Sequence, residues 1–178
     1  MIRIAMETLI DFVTGKTIPN TGAEANRQAV ERYLVENSGY LKTDIRVDHA
    51  IAIDVAGERY RSKIDLLVCP GEDARGMMLI KCAAGSLGSW EREALAAARI
   101  AEAYPIPYTV TSDGSTAIVL DTLSGRRLGT GLQAIPAREA LLREMTNLPL
   151  TPYPENRKER EKLIFRSYDL MTVHGREE

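Results

Sequence analysis

The chain has few of the residues that staple or metallate small domains. Its 178 residues include two cysteines, Cys69 and Cys82, and two histidines, His49 and His174, with no zinc-ligand spacing among them. The cysteines fall on strands expected to pair, several residues out of register and so roughly 15 Å apart at about 3.3 Å per residue. A disulfide needs Cα atoms within about 7 Å, so free thiols in a reducing cytoplasm are the expectation. Charge of one sign is also lacking. The net charge is −2 and the pI about 5.8, so no global basic field gathers nucleic acid, and a DNA role would need a local basic cleft. No run approaches the ~18 apolar residues of a membrane span. The opening "MIRIAMETLIDF" carries Arg3 and Glu7 and lacks the apolar core of a secretory leader. A soluble, cytoplasmic protein with no membrane partner is expected.

One apparent motif is excluded by a missing glycine. "TGKT", Thr14 to Thr17, resembles the end of a P-loop, but Ile10 stands where the first glycine must let backbone N–H groups wrap a phosphate. The stretch is a turn between short extended pieces and predicts no ATP site.

What is present is a patterned α/β chain. With 44% hydrophobic residues it can core one domain, residues 1–147, followed by a proline-containing linker and a helix, residues 148–178. "NTGAEANRQAVERYLVENSGY" predicts a helix with Thr21 and Glu24 as a capping box, an apolar stripe of Ala29, Val30, Tyr33 and Leu34, and Gly39 as its stop. Ile45 to Val55 alternate as a half-buried strand, "AGER" turns, and "RSKIDLLV" returns. "MMLIKCAA" is apolar on both faces and so central. A helix follows with Ser89 as N-cap and Pro105 beyond its end, then strands "PYTVTS" and "STAIVLDT", a turn "LSGRR", and a short helix with Pro136 in its first turn. "TNLPLTPYP" reads as the linker. The alternating charges Arg157 to Lys162 predict a solvated face on the last helix, with Leu163, Ile164 and Leu170 available for a partner. The helix between the third and fourth strands implies a parallel crossover. The sum is a mixed sheet of about five strands flanked by helices.

Chemistry concentrates on the second and third strands. If Cys69 faces Met77 across their turn, Asp65 faces Lys81 on one side of the sheet, about 5 Å away. Such a pair can be a cross-strand ion pair, or it can hold a divalent cation through Asp65 while Lys81 steadies charge growing on a phosphate. Glu24 has a similar double identity, as the fourth residue of a capping box or as a carboxylate offered to the metal.

The segments "TGAEANRQAVERYLVENSGYLKTDIRV", "SKIDLLV", "LIKCAAGS" and "IPYTVTSDGSTAIVLDTLSGR" are similar, in order and spacing, to the N-terminal nuclease domain of type I restriction enzyme R subunits, of the PD-(D/E)xK superfamily. The resemblance spans Asp11 to about Glu144. It implies a restriction-endonuclease-like fold and a DNA endonuclease using Mg²⁺ or Mn²⁺, with Asp65 and Glu24 as metal ligands and Lys81 as the catalytic lysine. The chain departs from the family at a critical point. The pattern wants Glu-x-Lys on the third strand and Gln-x-x-x-Tyr on the next helix. Taking Lys81 as the lysine puts Leu79 at the glutamate. The alternative alignment puts Lys81 at the glutamate and Ala83 at the lysine. The helix motif falls near Ala96 and Ile100. Glu91 or Glu93 could supply the missing acid, Glu91 first because it shares a helical face with Ala94, Leu95 and Ala98, although a surface or helix-dipole role competes. Three functions remain: a metal-dependent nuclease, a catalytically inactive nuclease-fold module binding DNA or protein, and an assembly protein contacting its partner or a second copy through the last helix.

Overall fold

Alternation is the local rule that builds the first long strand, Ile45–Val55, of the computed structural model, which describes residues 7–174. The first six residues of the segment weighed as a leader, and the side chain of His174, lie outside the described residues. A small antiparallel hairpin, β1 (Thr8–Ile10) and β2 (Thr17–Pro19), is closed by the turn from Asp11 to Lys16. Helix α1 (Gly22–Asn37) follows, capped by Thr21, whose hydroxyl accepts the Glu24 N–H at 3.2 Å. The capping box is only half made, because the Thr21 N–H goes to the Pro19 carbonyl and the Glu24 carboxylate goes elsewhere.

Six strands form the main sheet: β3 (Ile45–Val55), β4 (Glu58–Val68), β5 (Met78–Cys82), β6 (Tyr108–Ser112), β7 (Ala117–Asp121) and β8 (Arg127–Thr130), in that order across the sheet. Only β5 and β6 are parallel, joined through α2 (Glu91–Ile100) as the crossover requires. The sixth strand was hidden from the sequence because it is short, carries Gly129 and is mostly exposed, so it shows no alternation to read. It holds to β7 across a register shift at Val119/Leu120. Ser89 is not the α2 cap: a 3₁₀ turn over Leu87–Trp90 precedes the helix, and the Ser89 hydroxyl donates to the Ser86 carbonyl. Likewise Pro136 lies outside α3 (Arg138–Met145), whose N-cap is Ala137. Helix α4 (Glu155–His174) ends the described chain. Among the described residues no helix is long and apolar enough to cross a membrane.

The sheet separates two apolar cores. Val30 and Leu34 of α1 and Leu141 of α3 pack against Leu66, Val68, Met78 and Ile80. The alanine face of α2 (Ala94, Ala97, Ala98) and Phe165 of α4 pack with Leu67, Leu79 and Ile106, and the outer half of the β3–β4 hairpin joins them through Ile51, Ile53 and Ile64. Both cysteines are free and buried within these cores.

Gly114, in the β6–β7 turn at φ 87°, fixes how closely α1 approaches. A Cβ there would lie 2.7 Å from the Ala29 Cβ and 2.9 Å from the Asn26 carbonyl oxygen. Gly114→Ala is therefore expected to lose roughly 2–4 kcal/mol, from the left-handed backbone and the forced shift of α1 together. Urea unfolding measures it, and a loss under about 0.5 kcal/mol, the range of ordinary surface substitutions, would contradict the close approach.

Candidate functional site

The β4–β5 register is the one that places Asp65 beside Lys81. Val68 faces Met78, Leu67 faces Leu79 and Leu66 faces Ile80; the ladder ends there, one step short of the Asp65–Lys81 position. It ends because the Asp65 carboxylate takes the place of a main-chain acceptor, receiving the Cys82 N–H on Oδ2 at 2.8 Å. Burial, with the Asp65 charge adding to it, pushes the Cys82 thiol well above its ordinary range.

Lys81 does not form the cross-strand ion pair with Asp65. Its ammonium lies 3.4 Å from Glu93 Oε1 and 5.2 Å from the centroid of the Trp90 ring. Glu93, in the first turn of α2, is 2% exposed, and its Oε2 is buried without a hydrogen-bond partner. Burial raises the Glu93 pKa against the pull of Lys81. Asp65, Lys81 and Glu93 line one pocket of about 20 Å³ together with Leu79, Ala94, Ala97 and Phe165. That is room for a single water-sized occupant, which needs about 10–15 Å³ on this measure. Of the two helix acids weighed as substitutes, Glu91 is taken up by Arg127, while Glu93 enters the pocket.

The pocket wall supplied by Phe165 belongs to α4, and polar contacts fix that helix in place. Glu161 receives Arg92 at 2.7 and 3.0 Å and Arg99 at 3.2 Å, Asp169 receives the Tyr60 hydroxyl, and Phe165 meets the Tyr60 ring edge-on with centroids 6.4 Å apart. The run Arg157 to Lys162 is thus not wholly a solvated face: Glu161 is 4% exposed, because two α2 arginines converge on it. Of the residues expected to be available to a partner, Leu163 and Leu170 are exposed and Ile164 packs against the core.

Glu24 joins a different group. Its carboxylate lies 2.6 Å from Arg27, which also reaches Asp11 at 3.1 Å, Asp48 at 3.2 Å and Glu31 at 3.6 Å. Asp48 connects this cluster to Lys63, two residues before Asp65, at 3.0 Å. Glu24 does not line the Asp65 pocket.

For a divalent cation the donor set is lean. Among the described residues no three His, Cys, Asp or Glu side chains gather closely enough to hold a metal ion. Two carboxylates do line one ion-sized pocket, and one of them carries an orphaned oxygen. Mg²⁺ is commonly held by one or two carboxylates plus substrate phosphate, so the residues fit a cation completed by phosphate and not an all-protein cage. The sequence favoured Glu91, through its helical face shared with Ala94, Leu95 and Ala98, but Glu91 turns to Arg127 and Glu93 is the acid that enters the pocket.

A mixed sheet between an opening helix and a crossover helix, with an acid and a lysine opposed on its central strands, defines a restriction-endonuclease-like α/β protein. Residues 22–136, more than half of the chain, match the family model for the type I restriction enzyme R protein N terminus (HSDR_N), and the chain belongs to that family. No curated protein and no solved structure matches it.

Proposed function

We propose that this chain is a divalent-metal-dependent DNA endonuclease domain in which Glu93, on a helix, stands in for the acid missing from the strand. The observation supporting this is that Asp65, Lys81 and Glu93 line one ion-sized pocket. In this reading Asp65 and Glu93 would hold Mg²⁺ or Mn²⁺, with Glu24 as a further ligand once its contact with Arg27 is broken. The bound cation would supply Lewis-acid polarisation of a phosphoryl oxygen. Burial raises the Glu93 pKa, and a cation held by its carboxylate would favour the ionised form. Lys81 leaves Glu93 for the phosphate and donates to the oxygen on which charge grows.

Calorimetric titration with Mn²⁺ tests the site without a choice of DNA substrate. The wild type should bind one ion, Asp65→Asn should bind none, and Glu93→Gln should bind at least about tenfold more weakly, a loss of 1.4 kcal/mol. Lys81→Ala should keep the ion and lose Mn²⁺-dependent cleavage of duplex DNA. A wild type that binds no Mn²⁺, even with a short duplex present to supply phosphate, would end the nuclease reading.

A second reading has its own support. The Lys81–Glu93 ion pair and Phe165 close the pocket, which suits a nuclease frame retained as a module for binding DNA or a protein. In that case duplex DNA shifts in a gel while no cleavage follows in Mn²⁺. A protein partner or second copy would meet α4 through the exposed Leu163 and Leu170.

A further inference from the structure

The overall charge is slightly negative, so any attraction for DNA has to be local, and the outer half of the β3–β4 hairpin carries such a concentration. Alternation along the outer part of β4 sets Arg59, Arg61 and Lys63 on one side of the strand, two residues or about 6.7 Å apart. The three cations are exposed, and the innermost of them, Lys63, lines the pocket that holds Asp65. Across the ladder Lys63 faces Ala50, Arg61 faces Ala52 and Arg59 faces Asp54. The two alanines are exposed and keep the floor beside the cations low. The opposite side of this ribbon is the buried one, where Ile51, Ile53 and Ile64 join the core under α4.

The existing partners of these cations are easily exchanged. Arg59 meets Asp54 at 3.0 Å and Lys63 meets Asp48 at 3.0 Å, all with side chains more than 40% exposed. Such pairs contribute about 0–1 kcal/mol. Among the described residues no carboxylate lies within salt-bridge distance of Arg61. A row of evenly stepped, solvated cations on a two-stranded ribbon is complementary to a line of phosphates, and a ribbon of this kind can be admitted by the major groove of B-DNA.

We propose that this side of the β3–β4 ribbon is the track on which the sugar–phosphate backbone of duplex DNA lies as it reaches the Asp65 pocket. The proposal rests on the nuclease reading for its direction toward Asp65, but its binding step needs no metal. Arg61 and Lys63 are its central contacts and Arg59 its outer one. The cations read no sequence, so the track positions the duplex and leaves base specificity to other surfaces.

The test is fluorescence anisotropy of the full chain with a labelled duplex of about 20 base pairs, in EDTA, from about 50 to about 200 mM salt. The double variant Arg61→Ala/Lys63→Ala should bind about tenfold more weakly at the lower salt, and the slope of log affinity against log salt should become shallower by about 0.9 for each phosphate left without its cation. Arg143→Ala, an exposed cation on α3, should match the wild type. The proposal is overturned if the wild type fails to bind at about 50 mM salt, if the double variant keeps both affinity and slope, or if Arg143→Ala weakens binding equally. With metal chelated, failure of the Asp65 metal site appears in the Mn²⁺ titration and not in these curves, so the two are told apart.

Discussion

Arg27→Ala should lose about 3–5 kcal/mol of folding free energy near neutral pH, the scale of a buried ion pair broken from one side. Arg27 is the cation shared by Asp11, Glu24, Glu31 and Asp48, and its side chain is 4% exposed. Two of its acids have nowhere to turn: Asp11 is 1% exposed and Glu31 is fully buried. Asp11 also fixes the turn between β1 and β2 by accepting the Thr14 N–H at 2.7 Å, and Glu31 accepts the Val13 N–H at 3.2 Å. Removing the guanidinium therefore loosens the attachment of the first hairpin as well as leaving charge uncompensated. For a chain of this size the melting midpoint should fall by roughly 6–20 °C.

The loss should depend on pH in a set direction. Burial, then the nearby Asp11 charge, pushes the Glu31 carboxyl up to about 7 against the pull of Arg27, from an ordinary value of 4.5. Between those two values the unfolded chain binds fewer protons than the folded one, so the Glu31 contribution makes stability fall as pH rises from about 4.5 to about 7, with no further change above. Without Arg27 the folded Glu31 pKa rises further, which carries the decline to higher pH. Asp11 acts in a separate window. Burial works to raise its pKa, but hydrogen bonds from Thr14 and Gln28 and the charge of Arg27 hold it below 3.8, so its contribution is lost only as pH falls below that range. Urea unfolding at pH 5 and pH 8 should thus show the smaller deficit for Arg27→Ala at pH 5. Equal deficits at both would contradict the buried-acid account.

Phe165→Ala is the second large effect, and it should be local. Phe165 is 3% exposed and, among the described residues, is the one α4 side chain that reaches the Asp65 pocket. Truncating a buried phenylalanine costs about 3–5 kcal/mol. Polar contacts of α4 lie one turn to either side of Phe165, at Glu161 with Arg92 and Arg99 and at Asp169 with Tyr60. Phe165 is the buried apolar centre of this face of α4, so its loss should loosen the helix even though the flanking polar contacts remain. Hydrogen exchange should show the α4 amides losing protection by about two orders of magnitude or more, at 1.4 kcal/mol per tenfold, while β4 to β6 keep theirs. Lys81 should become more reactive toward an amine-acylating reagent as the pocket wall leaves. Amides in α4 as protected as in the wild type would show that Phe165 is not the anchor.

Several features could be read from the chain alone because they follow from short periods and local chemistry. Alternation from Ile45 to Val55, with the turn at "AGER" and the return of "RSKIDLLV", gave the long hairpin, and apolar residues on both faces of "MMLIKCAA" gave its central place. The turn at Pro70 to Arg75 set a register in which Asp65 and Lys81 oppose one another, and the observed pairing of Leu66 with Ile80 continues to that position. The order of the acidic helix, the three strands and the crossover also carried the family. These follow from sequence because each depends on neighbours a few residues away, or on a pattern that a whole family repeats.

Tertiary structure decided which charges meet. Lys81 takes Glu93, twelve residues on, in preference to Asp65 across the ladder, because α2 carries that carboxylate over the strand into a pocket water barely enters. Glu24 leaves its capping box because Arg27 is fixed by three further acids drawn from the first hairpin, α1 and β3. Glu161 is buried because two α2 arginines face α4. A charged residue has the same local pattern whether it faces solvent or a counter-ion from a distant element. Periodicity fixes the side of a helix or strand on which the residue stands, and only the packing of the elements fixes what lies across from it.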